Sequence, residues 1–207
     1  MSPMRIEPDL KPWISLGETL AGSFAARARG LLASDFALLD RHGEEIGRLE
    51  VHGHQGAGFG AGDLRARIER VPPNRYKMMS GSAEFLTEVL TSTGDASTPE
   101  ITCLGHPYRA RLSLLRNRAE AGPPGGEATV RITGGLTNRR YEVSFEAGIE
   151  GPLPVALFLL YRIVALRREA YRAGPGKGQP FPGPAHFSIS AGHRRSLGGS
   201  GRSRGVA

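Results

Sequence analysis

The sequence predicts a mainly β domain of antiparallel strands that ends in a hydrophobic helix. Two patterns lead to this prediction. Upstream of residue 147, apolar and polar residues alternate along several short segments, as in strands with one face on a core and the other in water. Downstream, the segment 153–166 is apolar on every side of a helix apart from Arg162, and such a helix is buried on all sides. Short strands at this spacing predict a sandwich or a barrel.

A hairpin is the clearest local signal near the N-terminal end of the predicted strands. Phe36-Ala-Leu-Leu-Asp40 predicts a strand, and Ile46-Gly-Arg-Leu-Glu-Val51 predicts the strand that returns. Between them, Asp40-Arg-His-Gly43 predicts a turn, because Gly43 supplies the positive φ that such a turn requires. We expect the glycine-rich stretch that follows, Gly53 to Gly62, to be a loop.

Further strands are predicted wherever the alternation continues. In each of them, charged or polar residues take one face and apolar residues take the other. These strands cover residues 64–69, 108–114, 130–132 and 141–146, with two shorter candidates at 85–90 and 100–104. Together with the hairpin they give about eight strands, which is a common number for a sandwich or a small barrel.

The C-terminal helix is the most informative segment. Leu153 to Leu166 would rise about 21 Å, which is less than the roughly 30 Å of a bilayer's hydrocarbon layer, so we expect no transmembrane segment. An antiparallel barrel that encloses this helix satisfies both patterns. Because a charge inside such a barrel is costly, Arg162 predicts either an opening in the barrel or a side chain that extends to a rim.

The composition divides the chain into three parts. Residues 1–30 are a lead-in segment, residues 31–172 are the barrel domain with its central helix at 153–172, and residues 173–207 are a basic tail. The tail is rich in Gly, Pro and Arg, has five basic residues and no acid, and is expected to be disordered. It accounts for most of the net charge of +7, so the folded part is nearly neutral, unlike a nucleic-acid-binding domain with a basic face.

The order of these features resembles that of the tubby C-terminal-like barrels, which include LURP-one-related proteins and phospholipid scramblases. The similar stretches are Ser34-Asp-Phe-Ala-Leu-Leu-Asp-Arg-His-Gly43, then Ile132-Thr-Gly-Gly135 followed by Arg140-Tyr-Glu-Val143, and the helix Leu153–Leu166. The resemblance covers about residues 30–172. It implies a closed antiparallel barrel of about a dozen strands around a central helix. Members of the group bind phosphoinositide membranes, move lipids or have no assigned activity, so the resemblance alone does not define a function.

Arginines on predicted outward strand positions are the candidate anion-binding residues. If their strands are neighbours, they form a face for lipid headgroups or RNA phosphates, because the guanidinium group binds phosphate through paired hydrogen bonds. Interleaved acids such as Glu69 favour the alternative of an ordinary solvated face. The candidates are Arg65, Arg67, Arg109 and Arg111 on the strands, with Arg194 and Arg195 in the tail.

Other motifs favour structural roles. His52 and His54 are spaced to share a metal, but no third ligand accompanies them, so we expect exposed histidines. The spacing of the glycines from Gly56 to Gly62 matches neither the dinucleotide-binding motif nor the P-loop motif. Cys103 has the neighbours of a small buried strand residue. The sequence therefore indicates no catalytic residue, no metal site and no cofactor.

We expect a non-catalytic barrel protein that binds anionic membrane lipid or phosphoinositide headgroups. One alternative is a nucleic-acid-associated protein that acts through the basic tail, and another is a small-ligand carrier or enzyme that uses the barrel mouth. The segment Met1–Leu16 contains acids and prolines where a signal peptide requires an apolar run. We therefore expect a cytoplasmic protein with peripheral membrane association.

Overall fold

The structure is a computed structural model that describes residues 10–30, 33–81 and 86–173. Within these ranges the chain forms two helices and twelve strands. The helices are α1 (Lys11–Leu20) and α2 (Pro152–Ala173), and the strands are β1 (Ser23–Arg29), β2 (Asp35–Leu39), β3 (Glu45–Val51), β4 (Gly56–Ala61), β5 (Leu64–Val71), β6 (Arg75–Gly81), β7 (Leu86–Gly94), β8 (Pro99–Cys103), β9 (His106–Ser113), β10 (Arg118–Gly122), β11 (Val130–Gly134) and β12 (Arg140–Phe145).

The twelve described strands form a closed antiparallel barrel in which each strand pairs with the next one along the chain. The barrel closes where β1 pairs with β12, with Ser23 opposite Ser144 and Arg27 opposite Arg140. Along most strands, buried residues alternate with more exposed ones, because successive side chains of a strand point to opposite faces. The predicted fold class, a mainly β antiparallel barrel with a hydrophobic C-terminal helix, is confirmed.

Helix α2 packs against the inner face of this barrel. Every residue from Pro152 to Ala165 is buried, and Phe158 and Leu160 are fully inaccessible to solvent. The helix contacts strands on several sides of the barrel, namely β3, β7, β8, β10, β11 and β12. An all-round apolar helix therefore serves as the core of the barrel, as the sequence pattern predicted.

The prediction for Arg162 is wrong in both of its forms. The barrel is closed, and the side chain does not reach a rim, since the residue is only 6% exposed. Instead, Nη1 donates a hydrogen bond of 2.7 Å to the hydroxyl of Tyr76 on β6. A neutral phenol on the barrel wall thus accommodates the charge.

The prediction of a loop from Gly53 to Gly62 is also wrong, because β4 occupies residues Gly56–Ala61. Glycine weakens an isolated strand, but β4 pairs along its length with β3 on one side and β5 on the other. The residues Ala57, Phe59 and Ala61 are buried, and they alternate with the glycines. Tertiary pairing outweighs the low strand propensity of the segment.

The barrel also includes part of the segment 1–30 that the sequence assigned to a lead-in. Strand β1 lies there and closes the barrel, and α1 precedes it. Strands β6 and β10 are further elements without a counterpart in the sequence-based prediction. The buried apolar residues of β10 are both alanines, and those of β1 are Phe24 and Ala26. Alanine is weak evidence for a strand. Residues 174–207 of the predicted tail lie outside the described residues.

Helix α1 covers the end of the barrel at which α2 begins, here called the α1 end. Trp13 anchors α1, because its indole Nε1 donates a hydrogen bond of 2.9 Å to the hydroxyl of Ser80. Its ring also stacks on Phe59, with the two ring centroids 6.1 Å apart. No helix in the described part of the chain has the length and hydrophobicity needed to cross a membrane.

Candidate anion-binding face

The four predicted strand arginines occupy two separate faces of the barrel. Arg65 and Arg67 lie on β5, whereas Arg109 and Arg111 lie on β9, and all four are exposed. Strands β6, β7 and β8 separate β5 from β9, a distance of roughly 19 Å along the wall at about 4.8 Å per strand. The structure therefore does not bring the four together in one face, although each points outward as predicted.

The two arginines on β5 are engaged by neighbouring groups. Arg67 Nε lies 2.8 Å from Glu69 Oε1 in an ion pair. Arg65 Nη1 donates hydrogen bonds to two backbone carbonyl oxygens, those of Gly62 at 2.6 Å and Leu64 at 2.9 Å. Glu69 thus offsets the charge of Arg67. The guanidinium of Arg65 uses its hydrogen-bond donors on backbone carbonyls at the start of the strand.

The two arginines on β9 have a third arginine close to them. Arg111 pairs in register with Glu120 on β10, and Glu120 pairs with Arg131 on β11, so Arg131 is about 10 Å from Arg111 at two strand spacings. Arg109 lies two residues before Arg111 and opposite Gly122. Within the described residues, none of these arginines has a carboxylate oxygen within 4 Å.

These residues surround a shallow depression of about 420 Å³ on the outer wall. Gly122 and the glycines of the β10–β11 loop contribute no side chains to it, so the guanidinium groups stand above a low floor. We call this surface the β9–β11 face and define it by its charged lining residues, Arg109, Arg111, Glu120, Glu127 and Arg131. Three unpaired guanidinium groups around one depression are suited to a phosphate group, which accepts paired N–H hydrogen bonds from arginine.

Arg131 is a residue of this face that the sequence-based candidates did not include. Its outward orientation was visible, since Val130 and Ile132 flank it on the apolar face of the strand. Its proximity to Arg111 depends on β10, a strand of only five residues that the alternation did not reveal. The tail candidates Arg194 and Arg195 lie outside the described residues.

The remaining candidate residues take part in local packing. His54 Nε2 lies 2.8 Å from Glu169 Oε1 on α2, whereas His52 is exposed. In the described ranges no three or more His, Cys, Asp or Glu residues come together as metal ligands would. Cys103 is fully buried, as its neighbours in sequence predicted. Burial raises the pKa of its thiol to about 12, and a protonated thiol is a poor nucleophile.

Comparison with known proteins gives a structural match and no sequence match. No family model matches the chain, and no curated protein matches it. Among solved structures, an X-ray structure of a protein from Arabidopsis thaliana matches with a TM-score of 0.48 and 13% sequence identity. That match covers 75% of this chain and 96% of the plant protein's chain.

Proposed function

We propose that the protein is a non-catalytic barrel that binds anionic phospholipid at membrane surfaces through the β9–β11 face. The observation that carries this proposal is the group of three arginines on neighbouring strands that have no carboxylate partner. Here Arg109, Arg111 and Arg131 remain available to an external anion.

The geometry supports a headgroup phosphate as the ligand. Arg111 and Arg131 stand on either side of β10, and the guanidinium of each can donate two parallel hydrogen bonds to one phosphate. Each basic side chain near an anionic bilayer contributes about 1 kcal/mol, so three contribute about 3 kcal/mol before the repulsion from Glu120 and Glu127, which line the same depression, is subtracted. Binding is therefore weak and depends on several headgroups at once.

The resemblance to the tubby C-terminal-like barrels supports lipid over other phosphates. It rests on the hairpin at 34–43, the strands around 132–143 and the C-terminal helix, and members of that group bind phosphoinositide membranes. A cytoplasmic, peripheral membrane location follows as part of the same proposal. The second candidate is binding of nucleic acid through the tail, favoured by the five basic residues and absence of acids between 173 and 207.

Co-sedimentation with vesicles tests the proposal. The full chain and a variant that ends at Ala173 are mixed with phosphatidylcholine vesicles and with vesicles that also contain phosphatidylserine or a phosphoinositide. We expect both proteins to prefer the anionic vesicles and to dissociate as salt is added, because the screening length falls from about 8 Å at physiological ionic strength to about 3 Å at 1 M.

Two outcomes would contradict the proposal. If the truncated protein no longer binds, the tail acts as a general polycation, and nucleic acid becomes the better ligand. If neither protein distinguishes anionic from neutral vesicles at low salt, the membrane function is wrong.

A further inference from the structure

A separate pocket of about 200 Å³ lies at the α1 end, between α1 and the loop that joins β12 to α2. Its lining is mostly apolar. The indole of Trp13 and the ring of Phe145 belong to it, together with Ile14, Ile149 and Leu153. Ile14 and Ile149 are exposed although they are large and apolar. The pocket is thus a concave apolar surface open to solvent, on a different part of the barrel from the β9–β11 face.

Gly17 keeps this pocket open. It lies within α1, where glycine is less favourable than alanine, and a Cβ atom added to it would meet no heavy atom within 4 Å. Neither a tight backbone contact nor a positive φ therefore requires glycine at this position. Gly17 is among the residues that line the pocket, so a larger side chain at this position would reduce the open space beside it.

Three carboxylates stand at the pocket, those of Glu18, Glu146 and Glu150. They are exposed, and in the described part of the chain no basic side chain pairs with them within 4 Å. The lining itself includes no Lys, Arg or His. The pocket therefore combines an apolar interior with a strongly negative rim.

We propose that this pocket binds a small hydrophobic amine, an organic cation with a single ring or a short alkyl chain. The apolar part would pack against Trp13 and Phe145, and the ammonium group would lie at the three carboxylates. The volume sets the size, because drug-sized ligands occupy pockets of about 300–1,000 Å³. The negative rim selects a cation over a neutral or anionic molecule of the same shape.

The intrinsic fluorescence of Trp13 reports occupancy directly, because it is the single tryptophan of the chain. The full-length protein is titrated with phenethylamine, with phenethyl alcohol as a neutral match and with phenylpropionate as an anionic one. We expect saturable binding of the amine, about tenfold tighter than binding of the alcohol, since exposed ion pairs contribute modestly each and three act together. We expect phenylpropionate to bind more weakly than the alcohol.

Two variants assign the binding to this pocket. Gly17→Leu fills the space and should abolish the fluorescence response to both amine and alcohol. Glu146→Gln with Glu150→Gln should remove most of the preference for the amine and leave the affinity for the alcohol unchanged. The matched control is Asp95→Asn with Glu100→Gln, which makes the same charge change at two exposed positions outside the pocket lining and should bind like the wild type.

Circular dichroism and thermal melting test whether each variant is folded. If Gly17→Leu does not fold, Gly17→Ala provides a smaller change at the same position. Equal affinities for phenethylamine and phenethyl alcohol would overturn the proposal. So would wild-type binding by folded Gly17→Leu, or an equal loss of amine preference in the control variant. None of these outcomes bears on lipid binding by the β9–β11 face, so the two proposals stand or fall separately.

Discussion

The guanidinium group of Arg162 lies over the ring of Tyr76, with Cζ 4.2 Å from the ring centroid, and also donates a hydrogen bond to the hydroxyl of that tyrosine. No carboxylate oxygen lies within 4 Å of Arg162 among the described residues. Phe158 and Tyr161 each pack edge-on against the same ring. The face and hydroxyl of one tyrosine thus contact the buried guanidinium, whose Nε has no hydrogen-bond partner among the described residues.

Replacing Tyr76 by Phe separates these two contributions. The ring stays, the acceptor is lost, and the unfolding free energy should fall by about 1.5–3 kcal/mol, the usual range for a hydrogen bond to a charged group. Tyr76→Leu also removes the ring and should cost more, about 3–5 kcal/mol, because the charge is then left without a partner. Urea denaturation followed by circular dichroism measures both.

The control for this pair is the double variant Tyr76→Phe with Arg162→Met, in which charge and acceptor are removed together. Its stability should lie closer to the wild type than that of Tyr76→Phe alone, since replacing a whole buried polar pair by apolar residues is often neutral. A loss below about 0.5 kcal/mol in Tyr76→Phe would show that the hydroxyl does not stabilise the guanidinium.

Truncation of large side chains on α2 tests whether the helix is the core of the barrel. Phe158→Ala and Leu160→Ala should each reduce the unfolding free energy by about 2–5 kcal/mol, as large core deletions do. The matched control is Leu115→Ala at a position that is 85% exposed, where the change should stay within about 0.5 kcal/mol. Losses below about 0.5 kcal/mol at both helix positions would contradict an enclosed α2.

Gly17→Ala should stabilise the protein, because alanine is the better helix former by about 0.5–1 kcal/mol and its Cβ meets no atom within 4 Å. Gly22→Ala is the contrasting change. Gly22 has a φ of +85°, and a Cβ there would lie 2.9 Å from the carbonyl oxygen of Phe145, so that variant should be less stable. Thermal melting compares the two, and a destabilised Gly17→Ala would mean that the helix requires glycine.

Cys103 provides a test of burial with a single reactive group, since it is the one cysteine of the chain. With its thiol pKa raised to about 12 by burial, it should resist iodoacetamide at pH 8 and react fully in denaturant, as followed by mass spectrometry. Because the folded state holds the proton more tightly, this thiol's contribution to stability should decline as pH rises from about 9 towards 12. Rapid labelling of the native protein would place Cys103 outside the core.

Much of the fold could be predicted because strong local patterns coincide with it. The hairpin at 36–51 was visible as two strand-like runs around a glycine turn, and helix α2 as an all-round apolar stretch. Strand β4 was not, because glycines at 56, 58 and 60 suppress local strand propensity, and only pairing with both neighbours reveals it. The surroundings of Arg162 were predicted wrongly because its hydrogen-bond acceptor, Tyr76, is far away in sequence.

The candidate anion-binding face could be predicted only in part. The outward positions of Arg109 and Arg111 follow from alternation within one strand. Their grouping with Arg131, and their separation from Arg65 and Arg67, depend on strand order around the barrel. That order includes strands built from alanine and glycine, which leave no clear alternation in the sequence.

Charge reversal on the two arginine faces tests the central claim most directly. Arg109→Glu with Arg111→Glu and Arg65→Glu with Arg67→Glu make the same charge change on faces that lie about 19 Å apart along a curved wall. A flat bilayer that contacts one face leaves the other in solvent. In co-sedimentation with anionic vesicles, the first variant should bind at least about tenfold more weakly than the wild type, at about 1 kcal/mol per basic side chain. The second should remain within about threefold, because it changes only long-range attraction. Equal losses in both variants, or a larger loss at Arg65 and Arg67, would contradict the assignment of lipid binding to the β9–β11 face.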